Sequence, residues 1–327
     1  VKRIFVFLPP LRSVSGGLAV LADTAAGLAA LGRDVVLVLR EPGTTPLSLP
    51  AGLPVVPLAA AGMTPDDVYL VPEGWPNALA PGFAAGARCV VYCQNWAYLF
   101  NGLPEGVGWD RLPVSFVAVS DPVARHIELA LGTLPPVLRP GIDPARFHPP
   151  ASKPAPDPVR VGFMPRKNKA LATMIRNVVA ARAPRTGLAL EWVAIDGLPP
   201  DGVAEALRPC HVFLATGFPE GCPLPPLEAM ACGCVVAGFA GFGGFDYMRQ
   251  AGDGGYVPSV PLRGVPWGGN GFYAADNDVF GATACLEAAA RLWLEGGEAL
   301  EGVLANSKRT AVAYGPGQRL QCLKDFF

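Results

Sequence analysis

Two glutamates separated by seven residues, Glu220 and Glu228, stand in the stretch EGCPLPPLEAMACG at 220–233. A short apolar run at 212–215 precedes them and reads as a buried strand, so Glu220 falls in the loop at that strand's end. Pro225 and Pro226 then open a helix, because a first turn has N–H groups without intrahelical acceptors and tolerates proline. On this reading Glu228 lies in the first helical turn. Unpaired N–H groups at a helix start favour an anion such as a phosphate, and carboxylate oxygens nearby accept hydroxyls, so the combination suits a sugar nucleotide. Taken singly, Glu228 could merely complement the helix dipole and Glu220 could be a solvated loop charge.

Other chemically capable residues are sparser. Gln94-Asn95-Trp96 follows an apolar run at 89–92; amides and an indole can hold a sugar but are poor bases. Asp276-Asn277-Asp278 has the form of a metal-binding Asp-x-Asp, yet it precedes a helix-permissive stretch, so N-capping is expected and no metal site is assigned. Gly243-Gly244-Phe245-Asp246 reads as a turn. His126, His148 and His211 read as structural or surface residues. The eight cysteines contain no Cys-x-x-Cys pair and are expected to be reduced, mostly buried thiols.

The frame that positions these residues is legible as alternation. An apolar run at 4–8 is followed by Ser15-Gly16-Gly17, then by Leu18, Leu21, Ala25, Leu28 and Leu31 at helical spacing, then by a second run at 35–39. That is a strand, a glycine turn, a helix and a strand, the unit of a parallel sheet. Further strand-like runs occur at 68–71, 89–92 and 116–119, and Ser120-Asp121-Pro122 starts a helix that ends at Gly132. PPASKPAPDP at 149–158 holds five prolines in ten residues and suits a semi-rigid connector. After it, strands at 159–164, 188–195, 212–215 and 234–238 alternate with helices at 170–183, 203–207 and 227–232. The expectation is an α/β protein: two doubly wound Rossmann-like domains facing a cleft, residues 1–148 and 159–305, with a helical segment at 306–327 packing back on the first. Ligands of such sheets bind beyond the carboxyl ends of the strands, so function belongs in the strand-to-helix loops.

Composition narrows the classes. At 327 residues, 51% apolar and 16% charged, the chain suits two buried cores and is not disordered. A net charge of −1 without a basic run argues against nucleic acid as a partner. The uncharged stretch 42–65 is broken by Pro42, Pro46, Pro50, Pro54 and Pro57, so no transmembrane segment is expected. No leader pattern is read at the start, and the expected location is the cytoplasm, with peripheral association at the inner membrane face left open. Oligomeric state is not legible.

Several stretches, in order, resemble glycosyltransferase family 4, retaining enzymes of the two-Rossmann (GT-B) fold: SGG at 15–17, VAVSDPVA at 117–124, RPGIDPARFHP at 139–149, GFMPRKNK at 162–169 and the Glu-x7-Glu block. The resemblance covers about residues 1 to 250. It implies that Glu220 approaches the donor sugar and that Glu228 binds the ribose hydroxyls. It further implies that Arg166 and Lys169, with Lys167 as the alternative, offset charge on the departing diphosphate. Gly16 and Gly17 would meet the same phosphate, Gly221 and Leu224 would line the donor site, and Gln94, Asn95 and Trp96 would stand on the acceptor side. The implied activity moves a sugar from a nucleoside-diphosphate sugar to a glycan or small-molecule hydroxyl with retention, without metal or further cofactor, in glycan, polysaccharide or glycoconjugate synthesis. Three positions depart from the pattern. Pro223 stands where glycine is usual, no histidine occupies the 94–96 stretch, and Asp246 replaces the commoner glutamate. Pro223 and the missing histidine keep open a second reading, a catalytically weak or inactive nucleotide-sugar-binding partner protein. A nicotinamide-dependent dehydrogenase is disfavoured because no G-x-G-x-x-G follows the first strand.

Overall fold

The computed structural model describes residues 2–11, 15–41, 49–252 and 255–327; Pro42 and Pro46 of the uncharged stretch lie outside them. The chain forms two compact units, Val1–Pro140 with Gly317–Phe327, and Gly141–Pro316.

The first unit is a six-stranded parallel sheet built from β1 (Ile4–Leu8), α1 (Gly16–Ala30), β2 (Val35–Leu39), β3 (Val55–Pro57), β4 (Val68–Pro72), α2 (Ala80–Ala85), β5 (Arg88–Cys93), β6 (Val114–Ala118) and α3 (Asp121–Leu131). IFVFL of β1 and VVLVL of β2 are buried at every position, since a central parallel strand has no wet face. They pair in register from Ile4 with Val35 to Leu8 with Leu39. The short β3 falls inside the proline-rich stretch and is tolerated there as an edge strand. Strand order β3-β2-β1-β4-β5-β6 changes direction between β1 and β4, and a doubly wound sheet opens its crevice at such a point. Ser120 caps α3 by accepting the Val123 N–H, and Gly132 ends that helix in the left-handed region, as the sequence leads one to expect.

The second unit comprises β7 (Val159–Phe163), α4 (Lys169–Thr186), β8 (Leu190–Ala194), α5 (Pro200–Leu207), β9 (Val212–Ala215), α6 (Leu224–Ala231), β10 (Val235–Phe239), β11 (Gly271–Ala274), α7 (Val279–Glu295) and α8 (Gly297–Ala313). Its parallel sheet runs β11-β10-β9-β7-β8, with the change of direction between β7 and β9. Phe213, Met230, Tyr247 and Tyr273 belong to one buried cluster, and Val161, Ile175, Leu214 and Leu286 to another. Each fully buried side chain of this size contributes roughly 1.5 to 3 kcal/mol.

The proline-rich stretch 149–158, where composition suggests a boundary, lies within the second unit; the chain changes units at Pro140 instead. The physical reason is that a segment without secondary structure still has buried polar groups to satisfy. Lys153 Nζ donates to the carbonyls of Arg208 and Cys210. Buried His211 accepts the Arg160 N–H on Nδ1 at 2.9 Å and meets the Pro154 carbonyl through Nε2 at 3.0 Å, a pairing that a neutral ring protonated on Nε2 satisfies.

The last helix, α9 (Pro316–Phe326), belongs to the first unit almost entirely. Arg319 donates to the Val20 carbonyl and to Thr24 Oγ1, both at 3.1 Å. Leu323 is fully buried, and a Cβ on Gly27 of α1 would come within 2.6 Å of its Cδ1, so the two helices touch through that glycine. All eight cysteines are free thiols, and five are buried. Among the described residues no helix is long and apolar enough to cross a membrane.

Candidate functional site

In the second unit the loops after β7 and β9 stand at the point where the sheet changes direction, and side chains tie them together. Asn168 adopts the left-handed region at φ 56, which asparagine tolerates, and its Nδ2 donates to the carbonyls of Thr216 at 2.7 Å and Phe218 at 3.2 Å. Thr216 Oγ1 returns a hydrogen bond to the Lys167 carbonyl. Across this junction Lys167 Nζ pairs with Glu220 Oε1. Behind Glu220 its N–H donates to the Gly241 carbonyl at 2.9 Å, and the Gly243 N–H donates to the Glu220 carbonyl at 3.0 Å. Glycine is required at 243, where a Cβ would lie 2.0 Å from the Gly221 carbonyl oxygen, and the Glu220 carboxylate lies so close over Gly217 that a Cβ there would stand 2.6 Å from its Oε1. A recess is lined here by Met164, Lys167, Thr216, Gly217, Glu220, Pro223, Pro225 and Pro226.

Helix α6 begins at Leu224 with Pro223 as its N-cap, so Glu228 falls in the second turn and not the first. The first four N–H groups of a helix lack intrahelical partners, so Pro225 and Pro226 fit inside the opening turn as easily as at its first position. The carboxyl group of half-buried Glu228 receives no hydrogen bond from any described residue. Burial pushes its carboxyl up to about 7, opposed by the positive charges of Arg146 and Arg166. A half-buried carboxylate with open acceptor positions and two cations nearby can take the hydroxyls of a polyanionic ligand. Arg166 is exposed on the β7 loop, and Lys169 is exposed at the first position of α4. Of the two lysines it is therefore Lys167 that the structure brings to Glu220. Gly221 is buried beneath the loop and Leu224 is half-buried at the helix start.

The first unit assembles a second group of expected residues. Gly16 and Gly17 are the opening residues of α1, capped by Ser15, whose Oγ accepts the Leu18 N–H at 3.2 Å. A Cβ on Gly17 would lie 2.7 Å from Gln94 Oε1, so Gln94 rests directly on this helix start. Gln94 Nε2 is buried without a hydrogen-bond partner among the described residues. Asn95 Oδ1 accepts the Ala97 N–H at 3.0 Å and begins a short 3-10 turn, Trp96–Tyr98, and Trp96 packs against His126 with ring centroids 5.6 Å apart.

Beneath this turn stands Glu73, which the sequence reading passes over. It is 4% exposed and follows β4 at the sheet's change of direction. Its carboxylate accepts the Gln94 N–H at 3.0 Å and the Asn95 N–H at 2.8 Å. Burial pushes it up to about 7 despite those bonds. The available signal was a lone glutamate directly after the apolar run VYLVP.

Asp278 caps α7 by accepting the Gly281 N–H at 2.9 Å, in keeping with the capping expectation, while Asp276 accepts the Gly241 N–H at 2.9 Å. Asp246 is fully buried and engaged by Arg263 and Tyr314, a structural role within the 3-10 turn Gly243–Asp246. Among the described residues no group of three His, Cys, Asp or Glu side chains is disposed to hold a metal ion.

No protein-family model matches the chain, and no curated protein matches it in sequence. Its two parallel-sheet units, with six and five strands, have the architecture of the GT-B fold. A glycosyltransferase from Rickettsia africae superposes with a TM-score of 0.69 at 11% identity, covering 98% of this chain and 96% of that one. The catalytic domain of starch synthase IV from Arabidopsis thaliana, bound to ADP and acarbose, gives 0.65 at 14% identity over 99% and 97%. HepE of Anabaena, in complex with UDP and glucose, gives 0.60 at 15% over 99% and 98%. At these identities the likeness is one of fold.

Proposed function

We propose that this protein is a retaining glycosyltransferase of family 4 that moves a sugar from a nucleoside-diphosphate sugar to an acceptor hydroxyl. The observation that carries the reading is the cluster at the β7–β9 junction: Lys167 paired with Glu220, and unpartnered Glu228 in α6 under the influence of Arg166 and Arg146. A ribose offers two hydroxyls to the Glu228 carboxylate, and the diphosphate offers negative charge to Arg166 and Lys167. When the phosphate takes up Lys167, the Glu220 carboxylate is released from its partner and becomes available to the donor sugar. Charge grows on the departing diphosphate as the glycosidic bond breaks, so cations held in place beforehand lower the barrier without reorganisation. Same-face attack, with a leaving phosphate oxygen taking the acceptor proton, needs no second carboxylate at glycosidase spacing. In the first unit we assign Gln94, Asn95 and Trp96 to the acceptor and the Gly16 and Gly17 amides to an anion. Neither a metal ion nor a cofactor beyond the donor is invoked. ADP and UDP in the starch synthase and HepE structures support a nucleotide as ligand of this fold.

The test is incubation of the full chain with a panel of sugar nucleotides, with and without excess chelator, and measurement of nucleoside diphosphate release. Slow release from one donor that persists in chelator is expected. Tight binding without release would favour the nucleotide-sugar-binding partner instead, and no binding of any nucleotide would end both readings.

A further inference from the structure

Asp276 does not share the capping role of its neighbour Asp278. It turns to the adjacent strand end, where its Oδ1 accepts the N–H of Gly241, a residue at φ +64 just past β10. The Gly241 carbonyl in turn accepts the Glu220 N–H at 2.9 Å. No slack exists at this point, since a Cβ on Gly241 would lie 2.7 Å from Glu220 Cβ. Strands β11, β10 and β9 are neighbours in the sheet, so three successive strand ends are tied in line, and the last tie carries the side chain paired with Lys167. Burial pushes the Asp276 carboxyl up to about 6, and the negative charge of Glu220 adds to the rise, so the two carboxylates sense one another across the Gly241 turn.

We propose that Asp276 is a positioning residue: by holding the Gly241 amide it fixes the carbonyl from which the Glu220 backbone hangs, and so sets where the Glu220 carboxylate stands. The catalytic consequence rests on the role proposed for Glu220; the mechanical link does not. A displacement of about an ångström at a reacting group lowers a rate by up to on the order of a hundredfold, so the tie matters more for turnover than for nucleotide affinity.

The experiment compares Asp276→Ala with Asp276→Asn in the full chain. Amide hydrogen exchange at Gly241 and Glu220 is followed by NMR, affinity for ADP and UDP by calorimetry, and kcat with the donor that turns over. In Asp276→Ala both amides should exchange about tenfold faster or more, and kcat should fall on the order of tenfold to a hundredfold, with diphosphate affinity kept within about twofold. Asp276→Asn, which keeps an acceptor oxygen, should restore most of both. Unchanged exchange at the Glu220 amide in Asp276→Ala, an unchanged kcat, or failure of asparagine to rescue would each overturn the proposal. Should the alanine variant not fold, Asp276→Glu displaces the acceptor while keeping the charge and is read in the same way. Absence of turnover in the unaltered chain would strike the proposed function, while exchange at the Glu220 amide would still decide whether Asp276 holds it.

Discussion

Lys167 and Lys169 sit two positions apart, yet the structure places their side chains differently. Lys167 faces Glu220, whereas Lys169 is exposed at the start of α4. Lys167→Ala should therefore lower kcat/KM for the donor by roughly tenfold or more, and Lys169→Ala by much less, both at little cost in melting temperature. Equal kinetics for the two variants would mean that the pairing with Glu220 marks no site. Glu228 calls for a binding measurement. Its carboxylate accepts no hydrogen bond from any described residue, so Glu228→Ala removes the acceptor offered to a ligand together with the charge that faces Arg146 and Arg166. Loss of hydrogen bonds from ribose to a charged acceptor should weaken ADP or UDP binding by roughly 1 to 3 kcal/mol in calorimetry. Unaltered affinity would take Glu228 out of the nucleotide site.

At the scale of elements, the end of β4 and the end of β5 are joined by Glu73, and this join is sensitive to pH. The carboxyl of Glu73 is raised by burial to about 7, so between its unfolded value and that value the folded chain keeps a proton that the unfolded chain has released. Stability from this group is thus present at low pH and is lost as pH rises through about 7, on the order of 3 kcal/mol in all. Glu228 and Asp276 are raised in the same direction. In urea unfolding the intact chain should lose more stability between pH 5 and pH 8 than Glu73→Gln does; His126 and His211, whose pKa values burial lowers, act in the opposite direction and are common to both chains. Glu73→Gln should also lose one of the two amide contacts. The same pH dependence in both chains would refute the assignment. The sequence carried the β strands flanking this join, because their apolar runs are local patterns. It did not carry the join itself, since Glu73 and Gln94 meet only through the pairing of β4 with β5.

At the scale of the whole molecule, the second unit is one continuous segment while the first needs both ends of the chain. A fragment of residues 141–316 should fold alone, giving a helix-and-sheet circular dichroism spectrum, and should bind ADP or UDP through Arg166, Lys167 and Glu228. The complementary cut, removal of 317–327, should destabilise the first unit, since it uncovers α1 at Gly27 and frees Arg319 from Val20 and Thr24. The single substitution Leu323→Ala, at a fully buried position, should already cost about 2 to 5 kcal/mol in denaturant unfolding. A truncated chain as stable as the parent would show that α9 is dispensable.

Read alone, the amino-acid order determined what depends on neighbours a few residues away. Buried strands such as IFVFL and VVLVL, the Ser120 cap with its Gly132 stop, the Asp278 cap and the Glu-x7-Glu loop and helix all follow from period, propensity and capping chemistry. Even there the start of α6 slipped, because two prolines fit a first turn in more than one phase. What only tertiary structure decided was which distant residues meet. The pairing of Lys167 with Glu220, the clasp of Asn168 on Thr216 and Phe218, the burial of Glu73 under Gln94 and Asn95, and the tie from Asp276 through Gly241 to Glu220 join residues that are tens of positions apart. Each such meeting is set by the order of strands in a sheet. That order is a property of how apolar faces are shared out among all the elements at once, and no local window of sequence contains it.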